Sequence, residues 1–162
     1  MLPSSRLPEE SAEAERVCRR RAMDLLARRD HSRLELERKL TGRGFEPALV
    51  EQVLDDLVRD HLLEEDRFVE SFIRGRVRKG QGPVRIRGEL AQRGIEEASA
   101  SSALAQADCD WTALAAAVRA KRFGAEAPAD FKERARQAKF LQYRGFESEQ
   151  IRTALDLASD SD

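Results

Sequence analysis

An all-α fold of three tandem three-helix units is what this sequence predicts, and three observations carry that prediction. Apolar residues recur at spacings of three and four along the whole chain, and nowhere alternate with polar ones for long enough to make a strand. Three stretches, Arg43-Gly44-Phe45, Arg93-Gly94-Ile95 and Arg144-Gly145-Phe146, repeat one turn pattern with their glycines 50 and 51 residues apart. Hydrophobic residues make up 41% of the chain but aromatic ones only 6%, against 36% charged, so the apolar surface comes mostly from Leu, Val, Ile and Ala. That mixture suits thin helical layers better than one thick core.

The first helix is expected from about Glu10 to Arg29, with Val17, Cys18, Ala22, Leu25 and Leu26 on its apolar side. Ser32 and Glu35 have capping-box spacing and open a second helix with Leu36 and Leu40 as its buried line. Gly44 ends it in the left-handed conformation, and Pro47 starts a third helix carrying Val50, Val53, Leu54 and Leu57. Glu64, Glu65 and Asp66 place negative charge at the positive end of a fourth helix dipole, whose apolar face is Phe68, Val69, Phe72, Ile73 and Val77. Gly80-Gln81-Gly82-Pro83 stops that helix and starts a fifth, with Ile86 and Leu90 inward and Gly94 as its stop. Ala100, Ala103 and Leu104 mark the sixth, and Trp111, Leu114, Ala115 and Val118 the seventh. Asp130 with Glu133 reads as a further capping box for an eighth helix ending at Gly145, and Ile151, Ala154 and Leu155 define the ninth.

Each turn glycine has a leucine four residues before it (Leu40, Leu90, Leu141) and another ten after it (Leu54, Leu104, Leu155), with Val50, Ala100 and Ile151 between. A helix, a glycine turn and a second helix bring these positions together, and a longer preceding helix closes the unit. The expected organisation is a flexible tail over 1–9, repeats over 10–63, 64–108 and 109–158, and a flexible end over 159–162. Stacked units sharing apolar faces predict an elongated, gently curved molecule.

The 29 basic and 30 acidic side chains nearly cancel, which argues against a uniformly cationic surface, so basic patches must be local. Cys18 and Cys109 form neither a disulfide framework nor a CxxC pair, which points to a reducing compartment. Residues 1–8 lack an apolar core of signal-peptide length, and the longest uncharged stretch, Ala98 to Ala107, is too short and Ser-rich to cross a bilayer. A cytoplasmic location with no membrane partner is expected. Gly80 and Gly82 are followed by Pro83 and not by the Lys and Ser/Thr of a phosphate loop, and His31 and His61 are read as capping or surface residues, without metal-site spacing. These features predict a protein that is not an enzyme and needs no cofactor or metal. The acids Asp55, Asp56, Asp60, Glu64, Glu65 and Asp66 read as a solvated face able to meet a basic partner.

Basic clustering is the informative feature. From Arg74 to Arg93 stand seven basic residues, Arg74, Arg76, Arg78, Lys79, Arg85, Arg87 and Arg93, against the single acid Glu89. Arg67, Arg74 and Arg78 share a helical stripe away from the apolar face, where they can reach phosphates or carboxylates. From Arg16 to Arg43 there are ten basic residues against four acids, among them Arg28, Arg29 and Arg33. The candidate partner- or nucleic-acid-binding residues are therefore Arg67, Arg74, Arg76, Arg78, Lys79, Arg85, Arg87, Arg28, Arg29 and Arg33.

The run from Leu25-Leu26-Ala27-Arg28-Arg29-Asp30-His31-Ser32 through Glu35-Leu36 and Lys39-Leu40 to Arg43-Gly44-Phe45 resembles the opening motif of the RecX family, regulators of the RecA recombinase. Leu62-Leu63, Asp66-Arg67-Phe68-Val69, Arg74, Gly82-Pro83, Ile86, Glu89-Leu90 and Arg93-Gly94-Ile95 resemble its second repeat, and Lys139-Phe140-Leu141, Arg144-Gly145-Phe146 and Ile151 its third. The resemblance spans roughly residues 16 to 157, and three ordered matches are far more specific than one short motif. His61 departs from it, standing where the family usually has glycine, as does Glu65 in place of a common aspartate. The resemblance implies a protein that binds the RecA–DNA filament and modulates, mainly by inhibition, its extension, ATPase and recombination and SOS activities, with basic patches near single- or double-stranded DNA; a monomer is expected. Two other readings stand beside it: a stand-alone helical DNA-binding module and a scaffold for another protein. Against the DNA module, the helix from Pro47 to Asp60 carries Glu51, Asp55, Asp56 and Asp60 against Arg59 alone, and phosphates would repel it.

Overall fold

The computed structural model describes residues 8–160, and among these all regular structure is helical. In chain order the helices are α1 Pro8–Arg28, α2 Arg33–Gly42, α3 Pro47–Arg59, α4 Glu65–Arg78, α5 Pro83–Gln92, α6 Glu97–Gln106, α7 Trp111–Phe123, α8 Phe131–Tyr143 and α9 Ser148–Ser159. The flexible ends expected at 1–9 and 159–162 fall outside the described residues over 1–7 and 161–162. The chain divides into two compact units, one up to Phe68 and one from Val69, with the division inside α4.

In the first unit α1, α2 and α3 pack against one another. Cys18, Ala22 and Leu25 meet Leu36, Leu40 and the α3 line Val50, Val53, Leu54 and Leu57, all buried. Val17, expected on the apolar side of α1, is instead 40% exposed, because the inward stripe narrows to Cys18, Ala22 and Leu25, spaced four and three apart. The Ser32 hydroxyl accepts from the Glu35 amide and the Glu35 carboxylate accepts from the Ser32 amide, both at 3.1 Å, completing the expected capping box.

His31 corrects the surface reading: it is 2% exposed. Its Nδ1 lies 3.0 Å from the Arg29 carbonyl and its Nε2 3.0 Å from Lys39 Nζ. A carbonyl only accepts and an ammonium only donates, so these partners fit a neutral imidazole with its proton on Nδ1. Burial, opposed by the Arg29 carbonyl and helped by the nearby Arg29 and Lys39 charges, holds the His31 pKa below its ordinary value. His61 has φ 57°, the left-handed region, a conformation that glycine adopts without steric cost.

In the second unit α5 packs on α6, and α7, α8 and α9 pack on one another. Ile73, Ile86, Leu90, Ile95, Ala100 and Leu104 are buried from α4 to α6, and Ala115, Leu141, Phe146, Ile151, Ala154 and Leu155 form the core of the last three helices. The capping box expected at Asp130 is only half made: Asp130 Oδ1 accepts from the Glu133 amide at 2.8 Å, but the Glu133 carboxylate turns to Arg136 and Gln137. An arginine that the helical pattern left unassigned, Arg119, is 3% exposed. Its guanidinium donates to the carbonyls of Gly124 and Glu126 and to Gln137 Oε1 at 3.0–3.2 Å, pinning the α7–α8 loop.

The start of α5 is capped from another repeat. Gly82 has no side chain to offer and Pro83 no N–H, so the Gly82 and Val84 amides donate at 2.9 Å to the carbonyls of Arg144 and Gly145 in the α8–α9 turn. A Cβ on Gly82 would run into the Gly145 carbonyl, and one on Gly145 would run into Arg85. Glycine on both sides is what lets the two backbones touch.

Candidate partner-binding surface

The cations of α4 and α5 divide into two sets. Glu89, the single acid of that stretch, sits between Arg76 Nε at 2.7 Å and Arg85 Nε at 3.3 Å, and its carbonyl accepts from Arg93 at 3.0 Å. The guanidinium carbons of Arg76 and Arg93 stand 4.5 and 4.7 Å from the centre of the Phe72 ring. Arg87 approaches Glu147 at 3.9 Å. Arg76 and Arg85 are therefore held by internal partners, Arg87 only approaches one, and the seven-to-one excess read from the sequence is partly folded into the unit. Arg74, Arg78 and Lys79 are exposed at the end of α4. Arg78 only reaches back to the Arg74 carbonyl at 3.4 Å, and the side chains of Arg74 and Lys79 have no polar partner among the described residues.

In the first unit, Arg29 pairs with Glu35 at 2.8 Å, Arg33 with Asp55 at 2.6 Å and Arg67 with Glu64 at 3.1 Å. Arg28 is exposed and unpaired among the described residues. The acidic face expected to meet a basic partner is largely engaged by the chain's own arginines, since Asp56 pairs with Arg59 and Asp60 with Arg19, each at 3.0 Å. Among the described residues no cluster of His, Cys, Asp and Glu could hold a metal ion.

Within the second unit, the ends of α4 and α7 frame an open groove of about 410 Å³. Val77, Leu114, Ala117 and Val118 line it with aliphatic surface, and Arg78, Lys79, Lys121, Arg122 and Arg144 line it with positive charge. Both helices close in basic last turns, where the negative end of the dipole favours cations. Arg144 Nη1 donates to the Lys79 carbonyl at 3.0 Å, across 65 residues of sequence. Lys121 and Arg122 were not singled out in the sequence, and Arg144 only as part of a turn motif, because only the fold sets them beside Arg78 and Lys79. The one available signal was the run Arg119-Ala120-Lys121-Arg122 without an acid.

The chain is 49% identical over 153 residues, 94% of its own length and 95% of the relative's, to the regulatory protein RecX of Halorhodospira halophila. Residues 18–57, 65–104 and 108–155 match in order the first, second and third three-helix domains of RecX. The chain belongs to the RecX family. The regulatory protein RecX of Pseudomonas syringae pv. tomato is 50% identical over 133 residues, covering 82% of this chain and 86% of that one. The crystal structure of RecX from Lactobacillus salivarius superposes with a TM-score of 0.75 at 21% identity, covering 90% of this chain and 99% of that chain. A second crystal structure of a regulatory protein RecX gives 0.77 at 22% identity, over 96% and 81%. The all-α fold of three RecX domains is thus shared, and the family is one of regulatory proteins. Among the described residues no helix is long and apolar enough to cross a membrane.

Proposed function

We propose that this RecX-family chain binds the RecA filament on DNA and limits its growth and ATP turnover. The observation that carries the reading is the ordered match of all three domains to RecX, together with cations that the fold leaves outward. A filament is a repeating ligand, and a chain of repeats can meet it at several points, each weak contact raising the effective concentration of the next. Arg28, Arg74, Arg78 and Lys79, unengaged by carboxylates among the described residues, supply a salt-sensitive attraction to a polyanionic filament. The paired residues Arg76, Arg85, Arg29 and Arg33 belong to the scaffold that presents them. On this reading RecA hydrolyses the nucleotide and the chain works without a cofactor of its own.

The test is to add the purified protein to RecA, single-stranded DNA and ATP and follow nucleotide hydrolysis and filament length. Slower hydrolysis and shorter filaments at micromolar protein are expected, and unchanged values would remove the reading. A stand-alone DNA-binding module predicts instead that binding to bare DNA is as tight as binding to the filament.

A further inference from the structure

We propose that the groove between the ends of α4 and α7 is a docking site for an acidic protein segment that inserts an aliphatic side chain between flanking carboxylates. The inference rests on reading this face as an interaction surface, but not on which polymer the protein serves.

Charge comes first. Five cations line the groove and no carboxylate does, so the groove concentrates like charges that an anionic occupant would neutralise. Two of the guanidinia are already positioned. Arg144 is tied to the Lys79 carbonyl and stands 5.2 Å from the Phe140 ring centre, and Arg122 lies 5.9 Å from the same ring and 5.5 Å from that of Phe123. Such held forks bind a carboxylate with less loss of side-chain freedom than a mobile ammonium does. Lys79 and Lys121, whose side chains have no polar partner among the described residues, remain adaptable at the rim.

The floor decides what kind of anion fits. Val77, Leu114, Ala117 and Val118 give an aliphatic surface, and the volume of about 410 Å³ lies within the range of about 300–1,000 Å³ usual for ligand pockets. Single-stranded nucleic acid is favoured by open aromatic faces on which bases stack. The nearby rings of Phe123 and Phe140 pack edge to face at 5.3 Å and are attended by Arg122, Arg136 and Arg144. An aliphatic floor rewards a leucine-like side chain and offers a base no aromatic ring to stack on. Gly80 completes the fit: it has φ +76°, and a Cβ there would stand 2.9 Å from Val118 Cγ2, so the α4 end can approach α7 only as glycine.

The experiment uses the full chain and fluorescence anisotropy with three labelled ligands of equal charge: a heptapeptide of six acidic residues around a central leucine, the same peptide with serine at the centre, and a thymidine heptanucleotide. The leucine peptide should bind at least tenfold more tightly than either of the others. Lys121→Glu with Arg122→Glu should abolish that binding with the helical circular-dichroism signal unchanged. Ala117→Gln, which keeps every cation and fills the exposed floor, should reduce the leucine peptide to the level of the serine peptide. Equal affinity for the two peptides, tighter binding of the heptanucleotide, or full binding by the Ala117→Gln variant would each overturn the proposal. No recombinase is present, so this outcome is separate from that of the RecA assay.

Discussion

His61 holds a left-handed backbone conformation that costs an ordinary L-residue about 1–2 kcal/mol. His61→Gly should therefore raise the unfolding free energy by up to about 1 kcal/mol in a urea titration, and a loss would show that its contact with Glu64 outweighs the backbone cost. Leu40 and Leu90 hold equivalent places before their turn glycines and are fully buried. Each substitution to Ala should cost about 2–5 kcal/mol, and a negligible loss in either would contradict the core assigned here. His31 gives stability a pH dependence. Its folded pKa lies below the unfolded value of about 6.5, so the unfolded chain takes up the proton first as pH falls. Its contribution is complete above that value and declines as pH drops through it. Denaturation midpoints measured between pH 7.5 and 5 should fall, roughly as this linkage requires, and should fall less in His31→Gln. The buried leucines were legible in the sequence because periodicity reports them. The burial of His31 and Arg119 was not, since each is held by backbone carbonyls and by a residue 8 or 18 positions away.

Among the elements, helix starts were readable where a side chain makes the cap, as Ser32 does for α2. They were unreadable where tertiary structure makes it. Gly82-Pro83 signals only a stop and restart, whereas the structure fills the two free amides with carbonyls from the α8–α9 turn. Gly44 and Gly145 separate this effect from simple conformational freedom, because both have φ +95° but only Gly145 faces a neighbour. Gly44→Ala should cost about 1–2 kcal/mol. Gly145→Ala should add an overpacking cost of about 1–3 kcal/mol and speed hydrogen exchange at the Gly82 and Val84 amides. Equal costs for the two variants, with exchange unaltered, would show that the cross-repeat cap contributes nothing.

For the molecule as a whole, the threefold turn pattern and its aligned leucines were enough to read three repeats, and the domain matches agree. The distribution of charge was harder to read. Counting arginines could not tell that Arg76 and Arg85 would surround Glu89, or that Lys121, Arg122 and Arg144 would join Arg78 and Lys79, because ion pairing is settled by contacts distant in sequence. The sorting of cations into held and outward sets yields a contrast within one patch. Replacing Arg76 by Ala leaves Glu89 half-buried beside one fewer cation and should lower stability, whereas Arg74→Ala with Arg78→Ala should leave stability nearly unchanged.

The most direct measurement is sedimentation of the wild-type chain and the Arg74→Ala/Arg78→Ala variant with preformed RecA filaments on single-stranded DNA over a series of salt concentrations. Saturable wild-type binding that weakens with salt, and a variant that binds less with a shallower salt slope, is the predicted result. A wild-type chain that stays in the supernatant at every salt concentration would contradict it.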